Sequence, residues 1–246
     1  YNKTHYLPSN TVVAFVGNIT EARALELTER YLAEFTSADY TEPPHVDRQE
    51  FVCGMGEHIK DFEQSELSIA FPSPCVGDGK AHIVSALDCI LGSGMSSRLF
   101  MRLREKMGLV YSVYTSPWMG RNNGVFSVCA NVNVSNVERS VAAVREEIDR
   151  LLSDGVTAEE TQKAKTQLKV TALFGKENPM NYMLSLMRRR LLVGEDYDLD
   201  KLIARIESIT AADIDGAARE ILGSGACFGY AGKKPKRHID EIYNNK

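Results

Sequence analysis

The chain lacks the common signatures of catalysis and of binding to nucleotides or membranes. Its histidines (His5, His45, His58, His82 and His238) never recur four residues apart, so no helix can turn two imidazoles onto one zinc ion. Its 5 cysteines (Cys53, Cys75, Cys89, Cys129 and Cys227) are odd in number and include no Cys-x-x-Cys pair. That argues against a disulfide framework and against a thiolate zinc site, and suits a reducing compartment. No apolar run approaches the length that spans a bilayer.

Nucleotide and nucleophile motifs are missing as well. GSGMSS, Gly92 to Ser97, opens like Gly-x-Gly-x-x-Gly, but Ser97 stands where the third glycine belongs and a helix precedes it. GYAGKK, Gly229 to Lys234, fails the P-loop spacing because Cys227 holds the first glycine position. Ser, His and Asp are all present, yet nothing resembles a Gly-x-Ser-x-Gly elbow. A net charge of −4 gives no reason to expect nucleic acid as a partner. The one basic run, GKKPKRH from Gly232 to His238, reads as a solvated tail. The chain opens on Tyr1 without an initiator Met, which reads as an excised or processed segment.

What is present is an ordinary globular composition. The 246 residues are 43% hydrophobic and 25% charged, enough to bury a sizeable core without disulfides or a structural metal. Thr11 to Gly17, TVVAFVG, reads as a strand, and Ala24, Leu27, Tyr31 and Phe35 fall at helical spacing over Glu21 to Phe35. The polar segment SADYTEPPHVDRQE, Ser37 to Glu50, is the linker candidate. A strand within Glu57 to Phe71 and a helix over Lys80 to Leu91 follow. A second helix is expected from about Ser96 to Lys106, then a hairpin of strands near Tyr111 to Thr115 and Val125 to Val132, turning at Gly120 to Gly124.

The second half is expected to be mostly helical. Val137, Val141, Val144, Ile148 and Leu151 form one apolar stripe, and Thr157 with Glu160 opens the next helix as a capping box. ENPMNYM, Glu177 to Met183, breaks that helix, and a further one carries Met183, Met187 and Leu191. Thr210 and Asp213 start the last helix, and Ala226 to Gly232 closes the chain as a strand. This order argues for an α+β fold, an antiparallel sheet with helices packed on one face.

One stretch stands out: MSSRLFMRLREKMGLVYSVYTS, Met95 to Ser116. Gly108 ends the helix, so Arg104 lies in its last turns and Tyr111 at the mouth of the next strand. A guanidinium and a phenol converging on one point suit a peptide carbonyl, or the oxyanion formed when it is attacked. The spacing alone favours an ordinary corner, with Arg104 paired to Glu105 or solvent and Tyr111 packed in the core.

The same residues carry a resemblance. Ser97, Arg98, Leu99, Phe100, Leu103, Arg104, Glu105, Lys106, Gly108, Leu109, Tyr111, Ser112 and Val113 match a motif of the insulinase, or pitrilysin, family of zinc peptidases. The likeness is to the zinc-free C-terminal region of its two-domain bacterial members and of the mitochondrial processing peptidase. YLPSNTVVAFVGNIT, from Tyr6, resembles the closing strand of the family's N-terminal domain, and EQSELSIAFPSP, from Glu63, the first strand of its C-terminal domain.

The resemblance implies two related α+β domains closing as a clamshell on an unfolded peptide. Zinc sits on His-x-x-Glu-His in the N-terminal domain, where metal-bound water attacks the scissile carbonyl with a glutamate as general base. The C-terminal domain would supply Arg104 and Tyr111 to orient the peptide and stabilise the oxyanion, and would hold neither metal nor cofactor. His-x-x-Glu-His is absent here, and the slots comparable to the zinc helix, within Lys80 to Leu91, hold Ser85, Asp88 and Cys89. The expected organisation is therefore residues 1–36 as the closing strand and helix of a preceding peptidase domain, 37–50 as linker and 51–246 as a zinc-free domain, inactive alone. Its expected partners are a zinc-bearing N-terminal domain or subunit and a peptide substrate, with a dimer left open and no nucleic acid or membrane. The expected location is a bacterial cytoplasm. The alternative is a non-catalytic structural or partner subunit of a processing-peptidase-like complex.

Overall fold

The computed structural model describes residues 6–35 and 50–244. In chain order the elements are α1 (Glu21–Leu32), β1 (Met55–Ile59), β2 (Ser65–Pro72), α2 (Ala81–Leu91), a π-helix (Phe100–Lys106), β3 (Val110–Met119) and β4 (Gly124–Val132). There follow α3 (Val137–Asp154), α4 (Ala158–Glu177), α5 (Pro179–Val193), α6 (Leu199–Ser208), α7 (Ala211–Leu222), β5 (Cys227–Gly232) and α8 (Ile239–Asn244). The chain divides into two compact units. One takes Tyr1–Asp47 and Lys169–Ile203, the other Arg48–Leu168 and Ala204–Lys246.

The larger unit is built on a five-stranded sheet in the order β1-β5-β2-β4-β3. Every neighbouring pair is antiparallel except β1 with β5, so the expected α+β class holds, with one parallel pair at an edge. Strict alternation sends Leu67, Ile69 and Phe71 of β2 and Phe126, Val128 and Ala130 of β4 to one face, where all are buried. Helices cover that face. The stripe Val137, Val141, Val144, Ile148 and Leu151 of α3 is buried there in full, together with Val84 and Leu87 of α2 and Ile214 and Ile221 of α7. Each such aliphatic side chain contributes about 1.5–3 kcal/mol by leaving water.

The ends of these helices obey local chemistry. Thr210 Oγ1 accepts from Asp213 N (3.2 Å) while the Asp213 carboxylate accepts from Thr210 N (2.8 Å), a closed capping box. Thr157 and Glu160 repeat the arrangement ahead of α4.

Several expectations need correction. Glu57 to Phe71 holds two strands, β1 and β2, the first of which pairs with β5 rather than with its sequence neighbour. Thr11 to Gly17 is not a strand, because a β-branched run needs a second ladder and none lies against it among the described residues. The linker candidate falls almost wholly outside the described residues. Helix α6 lies where no helix was expected, and α8 follows the supposed tail. GKKPKRH is in fact tied down: Lys233 pairs with Asp61 (2.8 Å) and His238 with Glu57 (2.9 Å). Beyond it Ile239, Ile242 and Tyr243 of α8 are buried, with Tyr243 edge-on to Phe228 at 5.3 Å between centroids. A six-residue helix has too few turns to show its period in sequence.

In the smaller unit, Thr20 caps α1 by accepting from Arg23 N (3.3 Å) and Asn178 caps α5 through Met180 N (3.0 Å). Tyr182 of α5 stands edge-on to Tyr197 at 6.0 Å. Neither α1 nor α5 buries a single residue completely.

Candidate functional site

The corner between α2 and β3 is assembled from three local devices. At Gly92, a Cβ would lie 2.4 Å from Thr115 N, so only glycine lets the end of α2 come this close to the sheet. Helical structure then resumes and widens into the π-helix, whose i→i+5 pattern is seen in Met107 N donating to Arg102 O (3.0 Å). Buried Leu99 and Leu103 anchor it to the core. Gly108, at φ +59°, reverses the chain and delivers Leu109 and Val110 back into the core.

The three arginines of this stretch have different fates. Arg98 grips Glu160 with two charge-assisted hydrogen bonds, 2.6 and 2.7 Å, and reaches the Gly155 carbonyl at 2.8 Å. Burial would push the Glu160 carboxyl up, but Arg98 and the backbone N–H of Thr157 outweigh it and hold it at about 2. Arg102 pairs with buried Glu147 (3.0 Å) and also with Glu146. Arg104 makes no ion pair among the described residues. Its guanidinium lies over the rings of Phe100 (5.3 Å) and Tyr111 (5.6 Å).

Tyr111 reaches Arg104 because of a β-bulge. Val110 opposes Val132 and Ser112 opposes Asn131, leaving Tyr111 as the extra residue. A bulge re-aims the side chain of its extra residue, and Tyr111 is 66% exposed instead of packed in the core. The structure thus brings the two sequence-identified residues together and leaves their polar ends to solvent.

Sequence reading did not single out what lies beside them. The sheet face away from the helices carries a trough of about 490 Å³, lined among others by His58, Glu66, Ser68, Tyr114, Cys129 and Asn131. Asn131 Nδ2 donates to Ser112 Oγ (3.2 Å), which ties the trough wall to the residue after Tyr111. The Cys129 thiol beside it, then burial and the Glu66 carboxylate, raise the Tyr114 phenol above its ordinary pKa. The polar alternation of β2 and β4 was the signal for this face.

The residues standing in the slots of a zinc helix do not suit a metal. The Ser85 hydroxyl donates to the Ala81 carbonyl (2.9 Å), and Asp88 accepts from Thr115 Oγ1 (2.5 Å) with burial raising its carboxyl. Burial, with Asp88 adding to it, pushes the Cys89 thiol to about 12, so no thiolate is on offer. Among the described residues, no three of His, Cys, Asp or Glu gather as a metal site would need. No helix of the described residues is long and apolar enough to cross a membrane.

Comparison with known proteins gives one consistent picture. The family described as the peptidase M16 inactive domain matches residues 1–168. An uncharacterized zinc protease of Streptomyces coelicolor is 31% identical over 99% of this chain and 54% of its own length. The chain spans about half the length of the curated relatives it matches. Among solved structures, a peptidase M16 inactive domain from Pseudomonas fluorescens aligns with TM-score 0.78 and 19% identity over 90% of this chain and 53% of that one. A chain of complex III2 from Candida albicans aligns with TM-score 0.85 and 18% identity, covering 99% and 60%. Identities this low speak to the fold alone.

Proposed function

The chain belongs to the peptidase M16 inactive-domain family, and from that premise we propose that it is the substrate-clamping, zinc-free C-terminal part of a zinc-dependent endopeptidase. Its substrates are peptides or unfolded polypeptides. The observation that carries the reading is the pairing of Arg104 with Tyr111 across the π-helix and the bulge, both polar ends open to solvent. The guanidinium of Arg104 presents five N–H donors, while Tyr111 adds one O–H. Two such donors held in advance of the reaction orient a peptide carbonyl and stabilise negative charge developing on its oxygen. Zinc and the water it activates come from an N-terminal domain or subunit to which residues 1–36 belong; residues 37–50 link it to the domain of 51–246. The bacterial relatives favour a bacterial cytoplasm, where free cysteines persist.

Arg104→Ala and Tyr111→Phe, made in the assembled protease, are expected to lower kcat/KM by about 10- to 100-fold each. Unchanged kinetics with an intact circular dichroism spectrum would sink the clamp. The second reading is a non-catalytic partner subunit, favoured by the whole-chain fold likeness to complex III2. It expects no peptide turnover in any assembly, with or without added zinc.

A further inference from the structure

We infer that Phe100 is a positioning residue: its ring holds the Arg104 guanidinium beside Tyr111 without occupying the N–H donors that a peptide needs. The inference rests on the clamp reading for what Arg104 does, and adds what keeps Arg104 in place.

A long cationic side chain on a helix is ordinarily fixed by a carboxylate. Arg98 is fixed so by Glu160, and Arg102 by Glu147 and Glu146. Arg104 is exposed and has no such partner among the described residues. It has two ring faces instead, Phe100 at 5.3 Å and Tyr111 at 5.6 Å. The two kinds of restraint differ in what they leave over. A carboxylate takes one or two N–H groups in hydrogen bonds and offsets the charge. A ring face attracts the cation through its quadrupole and accepts no conventional hydrogen bond, so donors and charge stay available to a bound carbonyl.

The two rings are not equivalent. Phe100 lies in the chain between the buried Leu99 and Leu103, is itself partly buried and packs against the core. Tyr111 is 66% exposed on its bulge. The fixed wall of the slot is therefore Phe100, and restraint passes from the core to Phe100, then to Arg104 and on to Tyr111. Phe100 and Arg104 stand four residues apart in the π-helix, so they are neighbours on one side of it. A change at Phe100 reaches Arg104 directly.

The test is a double-mutant cycle on kcat/KM, in the protein together with its zinc-bearing domain or subunit. Phe100→Leu keeps an apolar side chain in the core and removes the ring face. It is expected to lower kcat/KM about two- to fivefold, the size of one cation–π contact at an exposed site. Phe100→Tyr, which keeps the ring, is expected to recover that loss. In an Arg104→Ala background Phe100→Leu should cost nothing further, because the group it acts through is gone. Chemical rescue gives a second readout. Millimolar guanidinium chloride, set against sodium chloride at equal ionic strength, should speed the Arg104→Ala enzyme, and Phe100→Leu should abolish the gain. A rescue that Phe100→Leu leaves intact overturns the inference. If Arg104→Ala slows the reaction while Phe100→Leu is silent, or costs the same factor with and without Arg104, the inference falls and the clamp stands. If Arg104→Ala is itself silent, both fall. Should no peptide be cleaved, the same cycle is read on peptide affinity by fluorescence anisotropy. An affinity that ignores Phe100 but not Arg104 overturns the inference alone, and one that ignores Arg104 overturns both.

Discussion

Single residues in this chain take their meaning from what holds them. Arg98 and Arg104 are six apart in one motif, yet Arg98 is locked to Glu160 and Arg104 is left over two rings. The first is a structural ion pair with a measurable acid signature. Glu160 falls from an ordinary 4.5 to about 2 in the fold, so its stabilising contribution is complete above pH 4.5 and is lost as the pH drops towards 2. Glu160→Gln is expected to cost about 1–2 kcal/mol at neutral pH and to flatten stability between those two pH values. Urea unfolding across the acid range checks it. Arg102 faces a harsher situation, because Glu147 is only 4% exposed. Arg102→Met strands that carboxylate beside the more distant Arg150 at 3.7 Å, and is expected to cost about 3 kcal/mol.

At the scale of elements, the site depends on departures from regular structure. A continuous α-helix into a regular strand would put Tyr111 on a different face; the π-helix, Gly108 and the bulge together set it against Arg104. The two glycines that bound this corner should respond differently to alanine. At Gly108 nothing lies within 4 Å of a new Cβ, so only the left-handed backbone is penalised, by about 1 kcal/mol. At Gly92 the Cβ meets the Thr115 backbone at 2.4 Å, and helix and strand must separate. Gly92→Ala is therefore expected to destabilise by several times as much, readable as a larger drop in melting temperature. The motif residues were legible in sequence; the π turn and the bulge were not, since each inserts a single residue into a short run, too local a break to be told from an ordinary polar position.

Across the whole molecule, burial is uneven. The sheet unit has a continuous core from Leu67 to Tyr243, whereas α1 and α5 bury no residue completely. Amide hydrogen exchange should follow that difference. The amides of β2 and β4 are expected to be protected at least a hundredfold more than those of α1 and α5, because only the former require opening of the core. Equal protection in both would show that α1 and α5 owe their order to contacts beyond the described residues.

The sequence alone determined the parts of this protein that depend on local pattern. The α3 stripe, the capping boxes at Thr157 and Thr210, the Gly120 to Gly124 hairpin and the corner motif are all repeats or spacings a few residues long, so short windows reveal them. Only the tertiary structure decided that β1 lies parallel to β5, that α8 packs on the sheet, and that Arg104 and Tyr111 converge beside an acidic trough. Those outcomes join residues far apart in sequence, such as Glu57 with His238, and partners separated by such distances are chosen by packing, whose terms no local pattern contains.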